Sequence, residues 1–258
     1  MTSIIALIPM RHQSQRVPGK NFRPLAGKPL YQHIIETLLA VKEISKLVVD
    51  SDSPPVIEGL QRDFPQVQII DRPEHLRLNT TPMNEILLYD TSLLEADYYL
   101  QTHSTSPLLR PETISKAIQT FLADYPMHDS LFSVTRLQTR LYDHYGQALN
   151  HDPNILLQTQ DLPPVYEENS CLYIFTRAKL SQRRNRLGDQ PLMFEINADE
   201  AWDIDEELDF AVAEFGQRGV GECRNLLCSH KDTAGSGAVE PADQVQEGGL
   251  AGAGFPDQ

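Results

Sequence analysis

The sequence predicts a three-layer α/β fold on a mostly parallel sheet, with one small inserted hairpin or lid region. Two observations carry that reading. Short, continuously apolar runs of strand length alternate with segments of helical period through the first half. Runs that are apolar on both faces belong to strands covered by helices on both sides. With 258 residues and 40% hydrophobic content, the chain is also long and apolar enough to bury one core.

The elements follow in order. Ile4 to Ile8 (IIALI) is a first buried strand. Leu30, Ile34, Ile35, Leu38 and Leu39 fall on one face of a helix. Lys46 to Asp50 is a second strand. Pro54 to Phe64 is a helix that turns Val56, Ile57, Leu60 and Phe64 inward. Val67 to Ile70 is a third strand, Pro82 to Leu94 a helix, and Tyr98 to Gln101 a fourth strand. Pro111 to Leu122 is a helix with proline in its first turn, where the missing N–H is harmless. Leu131 to Thr135, Cys171 to Phe175 and Met193 to Ile196 read as further strands, and Asp205 to Glu214 as a last helix. Between them, Arg136 to Pro164 is rich in turn residues and reads as an insertion that lids the site or joins a subunit interface. Residues 1–230 form one domain on this reading. Residues 231–258, acidic and Gly/Ala-rich, lack the large apolar side chains needed to offset ordering entropy and are expected to be disordered.

Charge and cysteine content exclude several classes. A formal net charge of −14 argues against general nucleic-acid or anionic-membrane binding. Cys171, Cys223 and Cys228 are too few for a disulfide framework, and the pair spaced C-x4-C lacks zinc partners. No apolar stretch approaches the ~20 residues of a membrane span. The first apolar run has no basic flank before it, so it reads as a strand rather than a signal peptide. The cytoplasm is the expected compartment.

Against this acidic background, residues 1–35 carry Arg11, Arg16, Lys20, Arg23 and Lys28 and no Asp or Glu. The cluster follows the first strand, in a loop with Pro9, Pro18, Gly19, Pro24 and Gly27. Loops beyond the carboxyl ends of strands are where such sheets bind ligands. A bound polyanion, most simply a triphosphate, accounts for the cluster; a solvated basic loop paired to acidic surface is the alternative. Gly19-Lys20-Asn21 is not a P-loop, and no G-x-G-x-x-G is present.

The segment Ile8-Pro9-Met10-Arg11 through Val17-Pro18-Gly19-Lys20-Asn21-Phe22-Arg23-Pro24-Leu25-Ala26-Gly27-Lys28-Pro29-Leu30 resembles the nucleotide-binding loop of the acylneuraminate cytidylyltransferases. These are the CMP-sialic acid synthetases, related to the enzymes that activate 3-deoxy-octulosonate. Four further blocks resemble the family in the same order: Val48 to Asp52, Leu100 to Leu109, Glu168 to Ile174, and Trp202-Asp203-Ile204-Asp205 with Glu207 to Asp209 and Ala211. The resemblance implies a Rossmann-like nucleotidyltransferase fold. It implies transfer of CMP from CTP to the anomeric hydroxyl of a sialic-acid-type sugar, with release of pyrophosphate. Arg11, Lys20, Asp203 and Asp205 are then the catalytic candidates, with Arg11, Lys20, Asn21 and Gln101 on the nucleotide. Gln101, Asn169, Tyr173 and Arg140 are placed on the sugar, Mg²⁺ on Asp203 and Asp205, and a homodimer is expected.

The chemistry suits these residue types. Attack of a hydroxyl on the α-phosphorus builds charge on phosphate oxygens, which fixed cations neutralise. Mg²⁺ takes one or two carboxylates plus phosphate and water. Without the resemblance, Asp203 reads as a helix N-cap with Glu206 in a capping box, and Asp205 as a first-turn acid. His103 and His144 lie near candidate loops but are left outside the core site. The sequence departs from the family pattern at three places. The Gln101 block is two residues longer, Ser170 stands where glycine is usual, and Thr159 to Pro163 lacks the arginine that meets a sugar carboxylate. Arg140 is then the nearest cation for that acid group. Another nucleotidyltransferase of this fold, acting on a sugar such as 3-deoxy-octulosonate, and a catalytically silent nucleotide-binding protein are the competing readings.

Overall fold

The structure, a computed structural model, describes residues 2–14 and 16–217. The expected tail, Cys223 and Cys228 lie outside the described residues. Seven strands form one sheet in the order β5-β4-β1-β6-β8-β7-β9. They are β1 (Ile4–Met10), β4 (Lys46–Ser51), β5 (Gln68–Asp71), β6 (Tyr98–Gln101), β7 (Ser130–Leu137), β8 (Val165–Phe175) and β9 (Pro191–Glu195). β2 (Pro24–Leu25) and β3 (Lys28–Pro29) make a separate small ribbon in the basic loop. Strand pairing is parallel except on both sides of β8, which runs against β6 and β7.

Alternation along β1 shows why three layers form. Ile4, Ala6, Ile8 and Met10 pack with α1 (Leu30–Leu39), α2 (Pro54–Asp63) and α4 (Pro111–Asp124). Ile5 and Leu7 point the other way, toward Leu87 of α3 (Met83–Ser92) and Leu180 of α5 (Arg177–Arg183). Successive side chains of a strand face opposite sides, so an unbroken apolar run needs helices on both. Prolines at the first turns of α2 and α4 sit where the helix has no N–H to satisfy. Residues 207–217 are helical and constitute α6. No described helix is long and apolar enough to cross a membrane.

Two parts differ from the sequence reading. The helix α5 is not expected, because only Leu180 of its seven residues is buried and no apolar stripe signals it. Its mark is local: the Thr176 side chain accepts the Lys179 N–H as an N-cap. β8 starts at Val165, six residues earlier than expected, since its first half is polar and half exposed yet pairs with β7 beyond a register shift between Phe132 and Val134. The 136–164 segment between these strands carries an antiparallel bridge, Tyr142 to Ala148, outside the sheet.

The sheet leaves β1 toward β4 on one side and toward β6 on the other, a topological switch point. Because β8 is antiparallel to β6, with Tyr173 opposite Gln101, Asn169 and Ser170 extend past the carboxyl end of β6. Ser170 adopts φ 59°, left-handed backbone that favours glycine, which accounts for the glycine usual at this place.

Candidate active site

A cavity of about 590 Å³ opens beyond the carboxyl ends of β1, β5 and β6. Arg11, Arg16, Lys20 and Asn21 line it from the basic loop, His103 to Ser106 from the loop after β6, and Asp203 and Asp205 from the end block. Asn169, Ser170 and Arg72 complete the part that matters chemically. None of residues 136–164 lines it.

The loop after β1 is shaped by a small cluster of its own. Val17, Leu25 and Leu30 bury against Ile204, Phe210 and Ala213, which ties the loop to the segment 184 residues further on. Arg23 sits 4.3 Å over the Phe210 ring and bonds Glu207 at 2.6 Å. Gly19 turns the chain at φ 66°, and a Cβ there would stand 2.7 Å from the Phe22 ring. Lys20 follows directly, in the 3-10 turn Lys20–Phe22. Burial of Val17 and Ile204 thus brings the lysine and the acids together.

Lys20 Nζ donates to the Ile204 carbonyl at 2.6 Å and to Asp205 Oδ1 at 3.2 Å. Arg16 Nη2 meets the other oxygen, Oδ2, at 2.8 Å. Asp203, two residues earlier, is open to the cavity and accepts a hydrogen bond from Thr105. Protein around its carboxyl strips away water and raises its pKa; the charge of Asp205 adds to the rise, and Thr105 and Lys20 oppose it. A cation beside it would reverse that shift. The capping role is taken elsewhere: the amides of Asp205 and Glu206 donate to Asp209 at 2.8 and 2.7 Å. Two carboxylates are therefore free of helix capping.

Oxygen donors of this kind suit Mg²⁺. Among the described residues no group of three or more His, Cys, Asp or Glu could hold a metal ion. The protein can supply a pair, which leaves room for phosphate and water in the coordination typical of Mg²⁺.

The remaining sequence candidates divide. Arg11 is exposed at the rim, its Nη1 donating to Asn79 Oδ1 at 3.2 Å. Asn21 bridges the two loops: Nδ2 donates to the Arg11 carbonyl at 2.8 Å, and Oδ1 accepts from Ser104 at 2.6 Å. Asn169 lines the cavity but is tied to β7 through Ser133 at 2.6 Å and Thr135 at 3.0 Å. Gln101 and Tyr173 are fully buried and do not line the cavity. A strand-end glutamine and a strand tyrosine pointing into the sheet's packed face are where they belong by periodicity. Both lie behind the wall. Arg140 also lies off the cavity, half-buried, its guanidinium bonded to the Leu157 carbonyl within the inserted segment. His144 packs on Tyr145, away from the cavity.

Three residues outside the sequence candidates belong here. His103 lines the cavity, in the lengthened loop; burial, then Arg186 and Lys20, push its pKa down to about 4, so it is neutral near pH 7. Arg72 lines the cavity while fully buried, bonded to Asp50, and its Nη1 has no hydrogen-bond partner among the described residues. Asp90 of α3 lies against Asp50; burial and the Asp50 charge push it up to about 9. It is protonated at neutral pH, and its proton satisfies the Asp50–Asp90 contact that otherwise leaves carboxylate oxygens unpaired. Arg186 is the third, and it stands behind the cavity wall rather than on it. Its guanidinium stacks 3.4 Å over the Tyr173 ring, and Nη1 donates to Gln101 Oε1 at 2.6 Å. Polar residues at the ends of buried strands, Asp50 and Gln101–His103, are the sequence signal that points toward the first two.

Comparison with known proteins gives a consistent family. The cytidylyltransferase family model matches residues 5–229. CMP-N,N'-diacetyllegionaminic acid synthase of Legionella pneumophila is 29% identical over 225 residues, covering 82% of this chain and 94% of that protein. N-acylneuraminate cytidylyltransferase of Oncorhynchus mykiss is 27% identical over 241 residues, covering 88% of this chain. This chain spans 55% of the trout protein's length. Among solved structures, a CMP:2-keto-3-deoxy-manno-octonic acid synthetase complexed with CTP superposes with TM-score 0.61 at 19% identity, covering 83% of this chain and 97% of that one. That likeness establishes the shared fold.

Proposed function

Since the chain belongs to the cytidylyltransferase family, we propose that it transfers CMP from CTP to the anomeric hydroxyl of an acidic 2-keto-3-deoxy sugar of the sialic acid type, releasing pyrophosphate. The observation that carries this is one cavity at the switch point in which Arg16, Lys20 and Arg72 face the same space as Asp203 and Asp205. Two relatives named for legionaminic and acylneuraminic acids support the acidic sugar.

In the proposed reaction the sugar hydroxyl oxygen forms a bond to the α-phosphorus and the bond to pyrophosphate breaks. Lys20 and Arg16 leave Asp205 for the triphosphate and neutralise the charge that departs with pyrophosphate. Arg11, on the rim with only a neutral amide partner, draws the polyanion in. Arg72, rigid and with a spare donor, gives the nucleotide a fixed point of contact. Asn21 holds the basic loop against the loop after β6, so the phosphate and sugar halves keep their spacing. Mg²⁺ on Asp203 and Asp205 supplies further neutralisation of phosphate oxygens when bound.

The test is pyrophosphate release from CTP, UTP, GTP and ATP, each with N-acetylneuraminate, 3-deoxy-manno-octulosonate and further 2-keto-3-deoxy sugar acids. Release from CTP that depends on a sugar acid is expected. Preference for another nucleotide, or release without any sugar, would refute the proposal.

A further inference from the structure

Between α5 and β9 the chain runs Arg183-Arg184-Asn185-Arg186, and its three guanidinium groups have different fates. Arg183 pairs with Asp189 and Arg184 with Glu85, both on the exposed surface. Arg186 turns inward and is only partly exposed. Among the described residues, no carboxylate lies within ion-pairing distance of it. Glu168, whose charge does reach Arg186, bonds the Tyr173 hydroxyl instead. An arginine held from water without an acid, in a protein of net charge −14, is costly unless an anion arrives. Burial accordingly lowers its pKa, although a guanidinium stays charged at any working pH.

The surroundings fix the group in place. The turn that carries it is pinned by its backbone: the Arg186 N–H donates to Asn84 at 3.2 Å, and the Leu187 N–H to Asn185 at 3.0 Å. The Gly188 N–H donates to Ser130 at 2.8 Å. One edge of the guanidinium is bonded to Gln101 and one face lies on Tyr173. Each of these leads to the cavity wall within one contact. Gln101 meets His103 at 3.0 Å, and the Tyr173 hydroxyl, whose proton goes to Glu168, accepts from Ser170 Oγ at 3.2 Å. Both His103 and Ser170 line the cavity beside Asn169.

We infer that Arg186 is the residue that recognises the carboxylate of the sugar, with Gln101 and Tyr173 as the residues that position it. The inference rests on the sugar-acid reading above and moves this role away from Arg140, whose segment contributes nothing to the wall; Arg186, although not itself a lining residue, stands one contact behind His103 and Ser170. A planar fork held by one edge and one face leaves its other donors for a carboxylate.

The experiment compares kcat/KM for N-acetylneuraminate with that for its C1 methyl ester, in the wild type and in Arg186→Gln, Arg186→Lys, Arg183→Gln and Arg140→Gln. Loss of a charge-assisted contact should lower kcat/KM for the acid by about 10- to 150-fold in Arg186→Gln. The ester should hardly change, so the acid preference collapses. Arg186→Lys should keep part of that preference, since it retains the charge without the fork. Arg183→Gln and Arg140→Gln should change it by less than about threefold, since Arg183 is an exposed, paired charge and Arg140 lies off the cavity. Titration of CTP should give the same affinity in all variants. Should Arg186→Gln not fold, Arg186→Lys decides: a ratio lowered about fivefold or more with CTP binding intact supports the inference, and an unchanged ratio overturns it. A parallel loss on acid, ester and CTP would make Arg186 a structural residue and overturn it as well. A wild type that turns over no sugar acid takes down the proposed function with it. A wild type that prefers the acid, with a Gln variant that keeps that preference, takes down only the assignment of Arg186.

Discussion

Substituting Asp205 by Asn should change nucleotide binding in opposite directions with and without Mg²⁺. In the free protein Asp205 neutralises the cations that a triphosphate needs, through Arg16 at 2.8 Å and Lys20 at 3.2 Å. Side chains of Arg16 and Asp205 are 63% and 35% exposed, and although Lys20 is only 13% exposed its pair is open to water through Asp205. Exposed pairs are worth roughly 0.2–1 kcal/mol each, and two pairs give about 0.4–2 kcal/mol. Removing that competition should tighten CTP binding in EDTA by about 2- to 30-fold. Lys20 keeps its bond to the Ile204 carbonyl, so its position should survive. With Mg²⁺ and sugar present, the same variant loses a proposed metal ligand, and turnover should fall by about 100- to 1000-fold. Calorimetric titration of CTP into both proteins, in EDTA and in Mg²⁺, reads the first effect, and initial rates read the second. Weaker binding of CTP in EDTA by the Asn variant would refute the reasoning, because Asp205 would then not be a competitor for those cations.

Asp203→Asn should also cost about 100- to 1000-fold in turnover. Its melting temperature should stay within a few degrees, because Asp209 rather than Asp203 caps the neighbouring amides. A collapse in stability with it would show a structural role instead. Asp90→Asn tests the buried acid pair. Asp90 holds its proton up to about 9 in the folded state and loses it near 3.9 when unfolded. Its contribution is therefore fully present below pH ~4 and is lost as pH rises toward 9, by up to about 1.4 kcal/mol per pH unit. Denaturant melts from pH 5 to 9 should show a shallower decline for Asp90→Asn than for the wild type, and parallel curves would contradict a protonated Asp90. Asn21→Ala removes one hydrogen bond within the basic loop and one to the loop after β6, and should cost about 1–3 kcal/mol of stability together with a raised KM for CTP. An unchanged KM would separate Asn21 from nucleotide binding.

Much of the fold is legible in the sequence because buried parallel strands have only one pattern available to them. Ile4 to Ile8 and Lys46 to Asp50 are apolar on both faces, and the observed strands extend those bounds by a residue or two. The helix α5 is not legible, since its stability comes from a cap and one buried leucine rather than a stripe. The basic side of the cavity can be read because five cations without a single acid stand out in an acidic chain, and three of them, Arg11, Arg16 and Lys20, line it. The sugar side cannot be read the same way. Gln101, Tyr173 and Arg186 meet only through the antiparallel insertion of β8 beside β6 and the turn after α5, contacts that no local spacing encodes. Arg140 attracts attention as the nearest cation in sequence, yet its segment lies outside the cavity wall. Arg72 is hidden for a related reason: it gains its meaning from Asp50 and Asp90, which come from β4 and α3.

The most direct measurement follows the phosphorus atoms. In a ³¹P NMR time course of the wild-type protein with CTP, Mg²⁺ and the accepted sugar acid, the CTP signals should be replaced by pyrophosphate and one new phosphodiester in equal amounts, and by neither when the sugar is left out. Formation of CDP and orthophosphate, or pyrophosphate together with free CMP, would place the cleaved bond or the acceptor elsewhere and contradict transfer of CMP to a sugar.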